Sequence, residues 1–248
     1  MIFLLLSLLL SACRNQQINI PEAEKWKETE LTFKSGSTYS NPYTDVEFWV
    51  EFTGPDGEKL IRPGYWEKEN TWKVRFASPT DSGKWIWESF ASNASDTGLH
   101  GKTGKLKAVP YKGNNQLINN GLLRMSSGKR NVIHANGKSF LMIADTPWAM
   151  PWRGTYKTVA TYAENREKLG FNTALLMSLM PDRDVDGPRS RTELKGFDVA
   201  FEDLKEGHIN EINPDYFSYL DSLQNILINH GIVPVFQPVF HGFSWKGK

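Results

Sequence analysis

Asp145-Thr146-Pro147-Trp148 places a carboxylate, a hydroxyl and an indole side by side, directly after the apolar run Phe140–Ala144. A short apolar run bounded by turn residues reads as a buried strand of a parallel sheet. In parallel α/β folds, ligands collect beyond the carboxyl ends of the strands. An acid at that position accepts hydrogen bonds from neighbouring hydroxyls, and an indole stacks on the apolar face of a ring. Asp145 and Trp148 are therefore candidate contacts to a polyhydroxylated ligand. The structural alternative, in which Asp145 braces the loop and Trp148 packs, stays open from the residues alone. His241-Gly242-Phe243-Ser244-Trp245 follows another strand-like run, Ile232–Phe240, so His241 and Trp245 are candidates on the same ground.

A second polar constellation is Asp182-Arg183-Asp184-Val185-Asp186-Gly187, with Glu193 further on. Asp182, Asp184, Asp186 and Glu193 satisfy the written spacing of a calcium loop, whose oxygens wrap a hard cation. A strand and Pro181 precede the segment where a calcium hand has a helix, and Arg183, Arg189 and Arg191 crowd the charge. An arginine-balanced acidic loop explains it better, so no metal and no organic cofactor is expected. His208 and Glu211 stand in the same long connection without a partner pattern.

These residues need elements to hold them. Thr158–Lys168 patterns as an amphipathic helix whose stripe is Val159, Tyr162, Ala163, Arg166 and Leu169, stopped by Gly170. Phe171–Met177 is the next strand. Asn213 as N-cap and Pro214 in the first turn open another helix that runs to His230-Gly231, which makes His230 a helix-end residue. Strands alternating with helices predict a parallel sheet. An open sheet of only three strands would leave hydrogen-bonding groups and apolar faces uncovered, which argues against it.

The N-terminal half patterns differently. Val46, Phe48, Val50 and Phe52 alternate on one face, and Gly54-Pro55-Asp56-Gly57 supplies a hairpin turn. Leu60–Ile61, Thr71–Ala77, Lys84–Phe90 and Gly104–Val109 continue at the spacing of an all-β sandwich. Trp72, Val74 and Phe76 share a face, as do Trp85 and Trp87. Inward positions of such strands are core first. Trp49, opposite the Phe48/Phe52 face, and Trp66 are the better candidates for a sugar-stacking surface.

Of nine tryptophans, six precede residue 111. With 29 basic and 28 acidic residues the net charge is +1, and no basic cluster invites nucleic acid. Met1–Ala12 is apolar but short of the roughly 20 residues that span a bilayer. Its length suits an export signal, although no Lys or Arg precedes it. Leu10-Ser11-Ala12-Cys13 resembles the bacterial lipoprotein box, with Cys13, the only cysteine, as the lipidated residue. That implies a cell-envelope location and a membrane contact through the anchor.

Asn41-Pro42-Tyr43, Asp45-Val46, Phe52–Gly57, Val74-Arg75-Phe76 and Gly83-Lys84-Trp85, in that order, resemble the immunoglobulin-like domain that precedes apiosidase-like glycoside hydrolases. Asp145-Thr146-Pro147-Trp148 is similar to the Asp-Thr-x-Trp signature of the apiosidase-like catalytic domain, where it lines the floor of the sugar pocket; Asn213–Pro234 is also similar. The resemblance implies a multidomain chain: signal 1–13, tether 14–23, immunoglobulin-like β-sandwich 24–110, linker 111–120, and over 121–248 the first part of a (β/α)8 TIM-type barrel, truncated after about three strands. It implies hydrolysis of glycosidic bonds in a plant cell-wall polysaccharide or oligosaccharide. Glycosidases use two carboxyl groups across the bond. No position here matches either member of the family's pair, so the catalytic residues are unknown and the chain is expected to be inactive alone. The alternative is a non-catalytic carbohydrate-binding or adhesion lipoprotein.

Overall fold

The computed structural model describes residues 20–179, 189–191 and 196–238. Seven strands come first: β1 (Glu22–Glu24), β2 (Glu28–Lys34), β3 (Phe48–Thr53), β4 (Lys59–Lys68), β5 (Thr71–Ala77), β6 (Lys84–Ala91) and β7 (Thr103–Val109). They form one mixed sheet in the order β1-β7-β6-β3-β4-β5-β2. β1 pairs parallel with β7, while the other neighbours are antiparallel. The sheet curls towards closure, for beyond β1 Lys25 bridges Ser78 and the Trp26 N–H donates to the Ser78 carbonyl at 2.8 Å. A short helix, α1 (Pro42–Asp45), lies between β2 and β3, capped by the Asn41 side chain.

The two-sheet immunoglobulin-like sandwich expected for residues 24–110 is corrected by this topology. The reason lies in β4. Its residues Lys59–Pro63 pair with β3 and its residues from Gly64 on pair with β5, so one strand links the two halves into a single sheet. The turn of the sheet falls at Pro63-Gly64, where a Cβ on Gly64 would stand 2.1 Å from Phe48 Cδ1. The alternation read from the sequence does hold: Val46, Phe48, Val50, Phe52, Trp72, Val74, Phe76 and Trp85 are all buried in one core. Phe52 stacks on Phe76 with centroids 4.1 Å apart, and Trp85 meets Phe76 edge-on at 5.0 Å.

The rest of the described chain carries α2 (Gln116–Asn120), a hairpin of β8 (Leu123–Met125) and β9 (Val132–His134), and then β10 (Ala144–Asp145), α3 (Met150–Arg153), α4 (Tyr156–Lys168), β11 (Thr173–Met177), a 3-10 turn (Glu202–Glu206), α5 (Pro214–Asn229) and β12 (Val233–Gln237). β10, β11 and β12 are parallel neighbours in that order. The described residues thus form an open three-stranded sheet backed by α4 and α5. The partial TIM-type barrel expected over 121–248 is not the architecture.

One strand also falls short. Phe140–Ala144 was expected to be a buried strand, yet only Ala144–Asp145 pairs, and Leu141, Met142 and Ile143 are exposed. The side chain of Asn172 takes the ladder's place there. Its Oδ1 accepts from the Ile143 N–H at 2.8 Å and its Nδ2 donates to the Leu141 carbonyl at 2.7 Å.

The helices begin where side chains satisfy their free amides. Thr155 and Thr158 form a reciprocal capping box at α4, and Asn213 accepts from the Tyr216 N–H at α5. Arg75 of β5 reaches α5 and pairs with Asp221, with Nη1 to Oδ1 at 3.1 Å. Among the described residues, no helix is long and apolar enough to cross a membrane.

Candidate functional site

β10 ends on Asp145, in register with Ala174 of β11. Its Oδ1 accepts from the Thr146 N–H at 2.7 Å, and its Oδ2 accepts from Arg166 Nε at 2.5 Å and from the Tyr162 hydroxyl at 3.5 Å. Arg166 and Tyr162 both come from α4, one helical turn apart. The guanidinium lies over the rings of Tyr162 (5.1 Å) and Phe171 (5.4 Å), which hold it in place. The hydrogen bond from Arg166, then that from the Thr146 amide, keeps the Asp145 carboxyl below the usual range, so it is ionised at neutral pH. Burial, followed by the Asp145 charge, pushes the Tyr162 hydroxyl up to about 12, so it remains a proton donor.

Trp148 follows on the same loop. Its carbonyl accepts from the Met177 N–H at 3.2 Å, tying the loop to the end of β11. Its half-buried side chain packs against the cluster that includes Trp152, Met177 and Tyr216. Trp148 and Tyr162 border one shallow depression of about 410 Å³, with Pro147, Met150, Arg153 and Val159. Tyr162 thus stands between Asp145, which does not line that depression, and Trp148, which does. The depression offers the Tyr162 and Thr158 hydroxyls beside the Trp148 indole. A general acid is a different matter, because a carboxyl that donates a proton needs its pKa raised.

Beyond β11 the Ser178 N–H donates to the Gln237 carbonyl at 3.0 Å, and the Tyr216 hydroxyl donates to the Ser178 carbonyl at 2.8 Å. Arg189 pairs with both oxygens of Glu202 (2.7 and 2.9 Å) and with Asp198 (2.9 Å), while the acids of the expected arginine-balanced loop lie outside the described residues. Arg191 is buried, donates to the Pro151 carbonyl at 2.7 Å and lies 4.2 Å over the ring of Tyr219. His208 and Glu211 offer backbone amides to Asp203, at the Oδ1 in the case of Glu211 (3.2 Å) and at the carbonyl in that of His208 (3.2 Å). His230 ends α5 as expected, and its Nδ1 lies 2.6 Å from Glu167.

His241, Trp245, Cys13, Asp182, Asp184, Asp186 and Glu193 lie outside the described residues. Among the described residues no group of three or more His, Cys, Asp or Glu side chains could hold a metal ion. Arg166 and Tyr162, both on the helix stripe legible in the sequence, are the partners of Asp145, a pairing that the sequence pattern alone does not single out.

The profile of the apiosidase-like catalytic domain matches residues 126–248, and that of a domain of unknown function (DUF5060) matches residues 22–92. Among solved structures, a candidate glycoside hydrolase from Bacteroides vulgatus ATCC 8482 matches with a TM-score of 0.68 at 22% identity, covering 87% of this chain and 41% of its own. At that identity the likeness is one of fold. A glycoside hydrolase family 5 structure from the same organism matches with a TM-score of 0.38 at 22% identity, covering 52% of this chain and 26% of its own. No curated protein matches. The chain spans less than half the length of the Bacteroides structure of similar fold. Over its second half the chain is similar to the apiosidase-like catalytic domain.

Proposed function

We propose that the chain belongs to an exported glycoside hydrolase acting on plant cell-wall polysaccharide, held at the cell envelope by a lipid on Cys13. Asp145 and Trp148 contact substrate, together with His241 and Trp245 from the segment after β12. The catalytic carboxylates are supplied from outside these residues. One observation carries this reading: the carboxylate at the end of β10, neutralised by Arg166 at 2.5 Å, shares Tyr162 with the depression that Trp148 borders. That arrangement suits gripping a sugar better than donating a proton to the glycosidic oxygen.

The test is to incubate the purified chain with plant cell-wall polysaccharides and follow both retention on the polymer and release of soluble sugars. Retention without release is expected, with retention weakened in Trp148→Ala. Sugar release by the chain itself would overturn the assignment of catalysis elsewhere. Failure to bind any polysaccharide would overturn the carbohydrate reading. Export is checked separately, by incorporation of labelled fatty acid that Cys13→Ala abolishes.

A further inference from the structure

Trp49 and Trp66, the two aromatics that the sequence set apart from the core, meet in a single cleft between the sheet and α5. Its volume of about 620 Å³ lies within the range of roughly 300–1,000 Å³ typical of ligand sites. Both indoles are held before any ligand arrives. Trp49 is stacked on Phe90, with centroids 5.7 Å apart and planes at 13°. Trp66 is fixed by its Nε1, which donates to the Glu69 carbonyl at 2.8 Å. Phe217 and Ser218 of α5 form the facing wall.

The charges that line the cleft select the ligand. Glu47, Glu67 and Asp221 border it against one cation, Arg75, which is already paired with Asp221. Glu67 is in turn paired with Lys73 at 3.1 Å, so Glu47 is the carboxylate left uncompensated, and an anionic ligand would meet its charge with no free cation among the described residues of the lining. Rigid indoles beside carboxylates and hydroxyls match a neutral polyhydroxylated ring, whose C–H face stacks and whose O–H groups donate. We propose that this cleft binds a neutral oligosaccharide, at a site separate from the end of the parallel strands. The proposal rests on the carbohydrate reading above and adds a second place on the chain where glycan is held.

Calorimetric titration of the full chain with neutral xylo- and cello-oligosaccharides, and with an oligogalacturonide of equal length, tests it. The neutral sugars are expected to bind, and the acidic one at least about tenfold more weakly, which is about 1.4 kcal/mol. Trp66→Ala is expected to weaken neutral binding by about the same factor. Ser218 is exposed, so Ser218→Trp fills the cleft from its solvent side and is expected to abolish binding while the melting temperature holds. Should Trp66→Ala fail to fold, Ser218→Trp decides. Binding that survives Ser218→Trp but is lost in Trp148→Ala would overturn the cleft and leave the carbohydrate reading standing. Tighter binding of the oligogalacturonide would overturn the charge argument and the proposal with it. If no saccharide binds, both readings fall together.

Discussion

Gly64→Ala should destabilise the sheet at its turn. Gly64 sits where β4 leaves β3 and takes up β5. An added Cβ would lie 2.1 Å from Phe48 Cδ1, 2.7 Å from Cε1 and 3.0 Å from Cγ, where ordinary contact begins at 3.4 Å. The ring would have to retreat by about 1.3 Å, and dispersion contacts are lost over distances shorter than that. It has nowhere to go. Phe33 stands edge-on to it at 4.9 Å and Trp72 at 5.9 Å, both buried. Overpacking of a confined site costs about 1–3 kcal/mol, and this one belongs at the upper end. A loss of about 3 kcal/mol corresponds to roughly 6–12 °C in melting temperature for a chain of this size. Urea unfolding followed by tryptophan fluorescence measures it. Phe48→Leu, which removes the ring edge that clashes, should recover part of the loss when combined with Gly64→Ala, although it is itself destabilising. A Gly64→Ala protein as stable as the parent would refute the claim that close approach at this corner keeps the seven strands in one sheet.

Two further outcomes are expected. Asp96 is 1% exposed and accepts from Ser35 Oγ, the Tyr39 hydroxyl and the amides of Gly36 and Gly98. Burial raises its pKa, but these donors outweigh it, so the net shift is downward. Stability from a lowered carboxyl is fully present above its unfolded pKa of about 3.9 and is lost as pH falls through the folded value. Asp96→Asn should therefore cost about 1–3 kcal/mol at neutral pH and flatten the loss of stability below pH ~4, read by denaturant melts across pH. For Arg75 and Asp221, a double-mutant cycle with Arg75→Met and Asp221→Asn should give a coupling of about 1–2 kcal/mol that shrinks in high salt, since both side chains are about a third exposed. Zero coupling would mean that the pair does not help fasten α5 to the sheet.

Much of the fold was legible because burial leaves a period-two trace. Thr71–Ala77 is a strand over the residues predicted, and Gly54–Gly57 turns the chain with Gly57 at φ 82°. Thr155 and Asn213 mark helix starts by the chemistry of their side chains. β2 left little trace, because Glu28-Thr29-Glu30-Leu31-Thr32-Phe33-Lys34 buries only Phe33 fully and turns charged residues to solvent at the edge of the sheet. β1 pairs with β7 across some 85 residues, and no local pattern encodes such a partner. The continuous sheet hinges on how β4 divides its hydrogen bonds between two neighbours. A ten-residue strand and two short ones read alike until that division is seen.

The site carried a signal that went unread. Arg166 fell on the packing stripe of α4 with Val159, Tyr162 and Ala163, of which Val159 and Ala163 are buried. A cation on the face that a helix turns to its sheet is costly unless an anion meets it. In a βαβ unit the helix runs back along the preceding strand, so its last turns lie near that strand's start and its first turns near the strand's end. β10 is only two residues long, which brings both ends of the strand within reach of Arg166. Asp145, the one acid on or beside that strand, was thus the partner to expect, and the choice between ligand acceptor and loop brace was never exclusive. With Oδ2 held by Arg166 and Oδ1 by a single backbone amide, the carboxylate is fixed in direction and still has lone pairs to offer. An acceptor oriented in advance binds a hydroxyl without first ordering itself, so the ion pair that braces the loop is also what would make Asp145 an effective contact.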